Sequence, residues 1–206
     1  KRKEHDGLVR RTHENVEGMS VRALEAGLGD EWGLETFPEY LDVVEKKGTL
    51  INVAVLLGHT PLRLYALGPE STERAARPEE VRHMKSLMRE GLEAGALGYA
   101  TSKSPTHVGY EGRPVPSRLA AFSEIREIAS ALGEAGEGVI QATVGKELSI
   151  DEVAELNRVS GRHALCAALL GGGWVLNDGP AAGPFASPTE PQAAACRVSP
   201  PVPCPA

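Results

Sequence analysis

The chain has 206 residues, with 22 Lys and Arg against 28 Asp and Glu, so its formal charge is −6. That balance, with only 4% aromatic residues, leaves neither a basic footprint for nucleic acid or anionic lipid nor platforms for stacking bases. No apolar run approaches the roughly 18 residues that a membrane span requires.

The charged opening Lys1-Arg2-Lys3-Glu4-His5-Asp6 has no apolar region behind it, unlike a signal peptide, and it lacks a starting Met. We therefore expect an internal piece of something longer. The three cysteines, Cys166, Cys196 and Cys204, show no short metal-type spacing and no disulfide framework, so a reducing cytoplasm is the expected compartment.

Residues 1–35 are polar, with Trp32 the first large apolar anchor and a weak helical periodicity near Val21 to Leu28 that four glycines interrupt. A clear helix follows. Thr36 and Glu39 make a capping box, Phe37, Tyr40, Leu41 and Val44 share one face, and Lys46, Lys47 and Gly48 suit its end. Leu50 to Leu57 is then apolar on both faces, as in a strand of a parallel sheet covered by helices. It stops at Gly58 and His59, and His59, Thr60 and Arg63 follow at once. Polar chemistry just past the carboxyl end of a buried parallel strand is where α/β proteins keep their sites.

Pro78 opens a long helix on which Val81, Met84, Met88 and Leu92 recur at helical spacing, and Gly95 ends it. Ala96 to Ala100 reads as a short strand with Thr101, Ser102, Lys103 and Ser104 at its exit. A long loop through His107 to Pro116 leads to a helix with Leu119, Phe122, Ile125, Ala129 and Leu132 on one face. Gly138 to Thr143 reads as a third strand, and the capping box Ser149/Glu152 starts a helix to about Val159. Near Gly161 the pattern stops. Eight of the 27 residues from Pro180 onward are proline, so 161–206 reads as a low-complexity tail, expected to be disordered, with translation in a shifted frame as one hypothesis for its origin.

Strands alternating with helices predict βαβ units on a parallel sheet, with three polar strand exits on one face. Both a (β/α)₈ barrel and an open doubly wound sheet fit that pattern.

Trp32, Thr36-Phe37-Pro38-Glu39-Tyr40-Leu41-Asp42, Asn52-Val53-Ala54, Gly58-His59-Thr60-Pro61-Leu62-Arg63 and Glu90 to Ser102 together resemble the D-aminoacylase branch of the amidohydrolase superfamily. The resemblance covers about residues 1–160. It implies a partial (β/α)₈ TIM barrel, hydrolysis of the amide of N-acyl-D-amino acids, and zinc. It also implies what is missing. The first metal ligands would precede Lys1, a metal histidine would stand on the strand that reads Val139-Ile140-Gln141-Ala142-Thr143, and the last ligands would lie beyond Ser160. No metal ligand and no catalytic residue carries over, so the chain alone is expected to be inactive.

The site residues we expect are His59, Arg63, Ser102 and Lys103, contacting substrate or supporting a ligand. Their bland readings are a turn cap for His59, a carboxylate partner on the next helix for Arg63 and a helix cap for the Ser/Thr cluster. His83 and His107 read as surface residues, and Met84 and Met88 as core. The expected partner is a small N-acyl amino acid, with no nucleic acid and no membrane. The alternative is a non-catalytic barrel remnant that associates through unpaired strand edges.

Overall fold

The computed structural model describes residues 34–167, together with Gly7, Thr12, Ser20, Arg22, Ala23 and Ala26. All belong to one compact unit that ends at Leu170. Apart from Arg22, Ala23 and Ala26, which are helical, the expectations for Val21 to Leu28 lie outside the described residues, as do those for Trp32, Cys196, Cys204 and the tail beyond Ala167.

Helix α1 (Phe37–Lys47) starts at the predicted capping box, and Gly48 closes it at a φ of +71°. Its apolar face is only half-buried, with Phe37 packed on the edge of the core. Strand β1 is Leu56–Gly58, and α2 (His59–Leu67) follows without a break. The sequence reading held no helix there and saw only a turn. Pro61 is compatible with helix because it sits in the first turn, where no intrahelical donor is lost. Helix α3 is Pro78–Glu93, β2 is Gly98–Ser102, α4 is Phe122–Ala135, β3 is Val139–Thr143 and α5 is Ile150–Ser160. A fourth strand, β4 (Ala164–Ala167), was not expected, since it lies past the point where the sequence pattern fades.

All four strands are parallel and stand in the order β1-β2-β3-β4. Each crossover therefore moves one place in the same direction. A doubly wound sheet reverses direction partway and a barrel does not, so this order selects the barrel-type winding that the sequence left open. The fold is α/β, a partial barrel.

The core forms between the sheet and the helices. Met84, Met88 and Leu92 of α3 and Ile125, Ile128 and Leu132 of α4 meet Tyr99 of β2 and Ile140 of β3, all buried. Burying such side chains contributes about 1.5–3 kcal/mol each. Because successive strand residues face opposite sides, Tyr99 and Thr101 point toward the helices while Ala100 and Ser102 take the other face. On β3 the same alternation puts Ile140 and Ala142 in the core and Gln141 and Thr143 opposite.

Two expectations for β1 and β2 need correction. Leu50 to Leu57 is not a strand buried on both sides: only Leu56 and Leu57 belong to β1, and Leu50, Ile51 and Val53 are exposed. β1 ends the described sheet, so nothing among the described residues covers its upstream run. β2 begins two residues later than predicted and includes Thr101 and Ser102, because pairing with β3 continues to Ser102 opposite Thr143. Those hydroxyls are strand residues, not helix caps.

Candidate functional site

The carboxyl ends of β1, β2 and β3 open on one cavity of about 260 Å³. Gly58, His59 and Thr60 line it from β1 and α2, Ser102 from β2, Gln141 and Thr143 from β3, and His107 from the loop after β2. The predicted convergence of strand exits therefore holds, and His59 and Ser102 share a rim.

His59 opens α2 directly after a buried strand, which carries its ring inward to 1% exposure. Its Nδ1 lies 2.9 Å from Thr101 Oγ1 and its Nε2 2.8 Å from Glu124 Oε1. One turn along α2, Arg63 Nη1 donates to both oxygens of Glu124, at 2.6 and 2.5 Å. Arg63 Nη2 donates to the carbonyl of Arg74 at 2.7 Å. Arg63 is fully buried and Glu124 is 3% exposed. One chain of bonds thus ties α2, β2, the segment before α3, and α4.

The polarity of that chain is fixed from its cationic end. Burial pushes the Glu124 carboxyl up, but the hydrogen bonds from His59 and Arg63 and the charge of Arg63 outweigh it and hold it below the usual carboxylate range. An ionised carboxylate only accepts, so His59 donates through Nε2–H, and its Nδ1 accepts the Thr101 hydroxyl proton. Burial also pushes His59 down. The bond and charge of Glu124 oppose that without overcoming it, and Arg63 and Lys103 add to it, so the ring is neutral. Both ring nitrogens are occupied. In this arrangement His59 is neither a free base nor a metal ligand; it is a brace.

The pH dependence follows. The unfolded chain takes up a proton at His59 near pH 6.5, whereas the buried ring resists it, so stability falls as pH drops below about 6.5. Glu124, with its depressed folded pKa, adds stability present above its unfolded value of about 4.3 and lost as pH falls through the folded one. Urea unfolding midpoints should be flat above about pH 7 and fall toward pH 5. His59→Gln should be less stable and show little of that slope; an unchanged slope would show that His59 is not its source.

The four predicted residues separate into two groups. His59 and Ser102 line the cavity. Arg63 lies behind it, and its carboxylate partner is on α4, not on the next helix as the bland reading had it. Lys103 donates to the carbonyl of Ala120 at 2.8 Å, anchoring the entry to α4. Sequence reasoning missed Glu124, His107, Gln141 and Thr143 as a group. Glu124 left one signal, a carboxylate directly beside the apolar stripe of α4. His107 left none, because only the fold of its loop brings it to the strand ends.

The second shared hydroxyl chain is shorter: Thr60 Oγ1 donates to Ser117 Oγ at 3.2 Å, and Ser117 Oγ donates to the carbonyl of Ser102 at 2.7 Å. Among the described residues no three His, Cys, Asp or Glu side chains come together to hold a metal ion. Nor is any described helix long and apolar enough to cross a membrane.

No family model matches the chain. It is 30% identical over 155 residues to the N-acyl-D-glutamate deacylase of Alcaligenes xylosoxydans xylosoxydans, a match covering 74% of this chain and 29% of that protein. To the D-aminoacylase of the same organism it is 27% identical over 150 residues, covering 65% and 29%. The crystal structure of N-acyl-D-glutamate deacylase from Bordetella bronchiseptica, complexed with zinc and a phosphonate inhibitor that mimics the tetrahedral intermediate, superposes with a TM-score of 0.52 at 26% identity. That match covers 66% of this chain and 27% of the deacylase. A D-aminoacylase structure described as defining a novel subset of amidohydrolases gives 0.53 at 23% identity, covering 64% and 26%, and speaks to the fold. The chain spans less than a third of the length of each of these proteins. The resemblance read from the residues is borne out.

Proposed function

We propose, starting from this chain's kinship with the D-aminoacylase branch of the amidohydrolase superfamily, that it supplies four strands and a substrate pocket to a hydrolase of non-peptide C–N bonds. The substrate class is N-acyl-D-amino acids, and the products are a carboxylate and a free D-amino acid. The observation that carries this reading is the common rim: three parallel strands deliver Gly58, Ser102 and Thr143 to one cavity, in the segment that matches the deacylases.

The described residues do not fit zinc. No metal cluster forms among them, both nitrogens of His59 are taken, and β3 presents Gln141 and Thr143 where the resemblance implies a metal histidine. No step is therefore assigned to a metal here. The chain's own residues bind and shape: the His59 network sets the rim rigidly, and Ser102, Gln141 and Thr143 present uncharged hydrogen-bonding groups to a ligand. By itself the chain is inactive on this reading. Amine release from N-acetyl-D-glutamate and metal content, measured on the purified 206-residue protein, test it. We expect neither turnover nor stoichiometric zinc; both together would overturn the assignment of the ligands to regions outside this chain.

One observation favours a second reading, that of a non-catalytic remnant acting through association. The described sheet ends in β1 and β4, whose outer edges pair with nothing among the described residues, and Leu50, Ile51 and Val53 lie exposed beside β1. Unpaired edges template pairing with another chain. Size-exclusion chromatography separates the readings: self-association supports the second, and a clean monomer with one sharp unfolding transition counts against it.

A further inference from the structure

The sheet has two faces of different character. Toward the helices Leu57, Tyr99, Thr101, Ile140 and Ala142 are all buried. The other face carries Leu56 of β1, Ser102 of β2, Val139 and Gln141 of β3 and, in register with Gln141, Leu165 of β4. None of these is buried, and Gln141 and Leu165 are exposed. In a closed barrel that face is the interior, filled by side chains from alternate strands. An exposed leucine on it is apolar surface left in water.

The two edges of the sheet match each other. Among the described residues β4 pairs with β3 alone and β1 with β2 alone. Leu50, Ile51 and Val53 stand exposed beside β1, as Leu165 does on β4. Because every crossover advances one place in the same direction, the strand that continues the series past β4 must run parallel to it and lead into a helix. The β1 strand of a second copy meets both conditions, since it runs into α2 without a break. The count also fits. Four strands are half of the eight that close a barrel, so two head-to-tail copies complete the ring and leave no edge. Pairing β1 on β1, or β4 on β4, would either reverse the strand direction or turn the helix layer to the wrong side of the sheet. Neither continues the winding.

We propose that two copies of this chain assemble into one eight-stranded barrel, with β4 of each beside β1 of the other, so that each covers the open sheet face of its partner. This specifies the association reading above and rests on it. The twofold axis then runs along the barrel, all strand exits open at one end, and the partner copy supplies the wall that faces Ser102 and Thr143.

Light scattering after size exclusion should give the full 206-residue chain a mass twice its 21.8 kDa. Ile51→Lys with Val53→Lys charges the β1 side, and Leu165→Lys charges the β4 side. All three residues are exposed, so each variant should keep the wild-type circular dichroism. Either variant alone carries its block at both junctions and should associate at least tenfold more weakly. An equimolar mixture of the two should recover, because one junction of the mixed dimer holds no new lysine. Folded variants that fail to recover on mixing would overturn the proposal. The mass of the unaltered chain tests it without any variant. Oligomers larger than two, or association lost in the β1 variant and kept in Leu165→Lys, would overturn the closed barrel and leave edge association standing. A monomer, its edges left to a different polypeptide, would overturn both.

Discussion

Glu124→Ala should destabilise the chain by about 3–5 kcal/mol, the range expected when one partner of a buried ion pair is removed. The substitution leaves Arg63, fully buried, with only backbone carbonyls as partners, and leaves the Nε2–H of His59 unpaired. Both are costs of burying polar groups, and they outweigh the few methylenes lost from Glu124 itself. The decisive control is the pair. Arg63→Met should be comparably costly, because it strips Glu124 of its cation, but the double variant Arg63→Met with Glu124→Leu should cost much less than the sum. Urea denaturation of the three variants measures this. A loss below about 1 kcal/mol in Glu124→Ala would mean that water reaches Arg63 and that the network is not the brace described above.

Gly98→Ala should be worse still, costing more than about 4 kcal/mol or preventing folding. Gly98 sits at φ +153° and pairs with Val139 in the ladder between β2 and β3. A Cβ placed on it would lie 1.9 Å from the carbonyl oxygen of Val139 and 2.6 Å from its nitrogen. Both atoms are backbone of the partner strand, so no rotamer change relieves the overlap; the strands must separate. They would do so at the opposite end of the ladder from the rim that carries Ser102 and Thr143. Gly112→Ala is the comparison. Gly112 also has a positive φ, +73°, but a Cβ there meets nothing within 4 Å, so only the conformational penalty of roughly 1–2 kcal/mol applies. Circular dichroism melts of the two variants separate steric from conformational cost. Similar melting temperatures for both would show that β2 and β3 can move apart cheaply.

How much was legible differs from element to element. The capping boxes at Thr36 and Ser149 predicted two helix starts to the residue, because a cap is a local exchange between side chain and backbone amide three positions apart. The stripe Met84, Met88, Leu92 predicted which face of α3 is buried for the same reason, its period being that of the helix. Helix α2 was missed because nine residues hold too few turns to show a period, and because His59 and Pro61 look like loop chemistry. β4 was missed because four residues beside a glycine-rich run show no pattern.

The sequence by itself determined the alternation of strand and helix, the polar residues at the strand exits, and the resemblance to the deacylases. All of these are carried by neighbours within about a dozen positions. Only the tertiary structure decided that the winding is of barrel type, that Leu50, Ile51 and Val53 are exposed, and that His59 is a brace while His107 faces the cavity. The partners of His59 lie 42 and 65 residues away, and nothing local in a chain specifies a bond across such a separation. Periodicity reports what a segment could bury, and contact with the rest of the fold settles what it does bury.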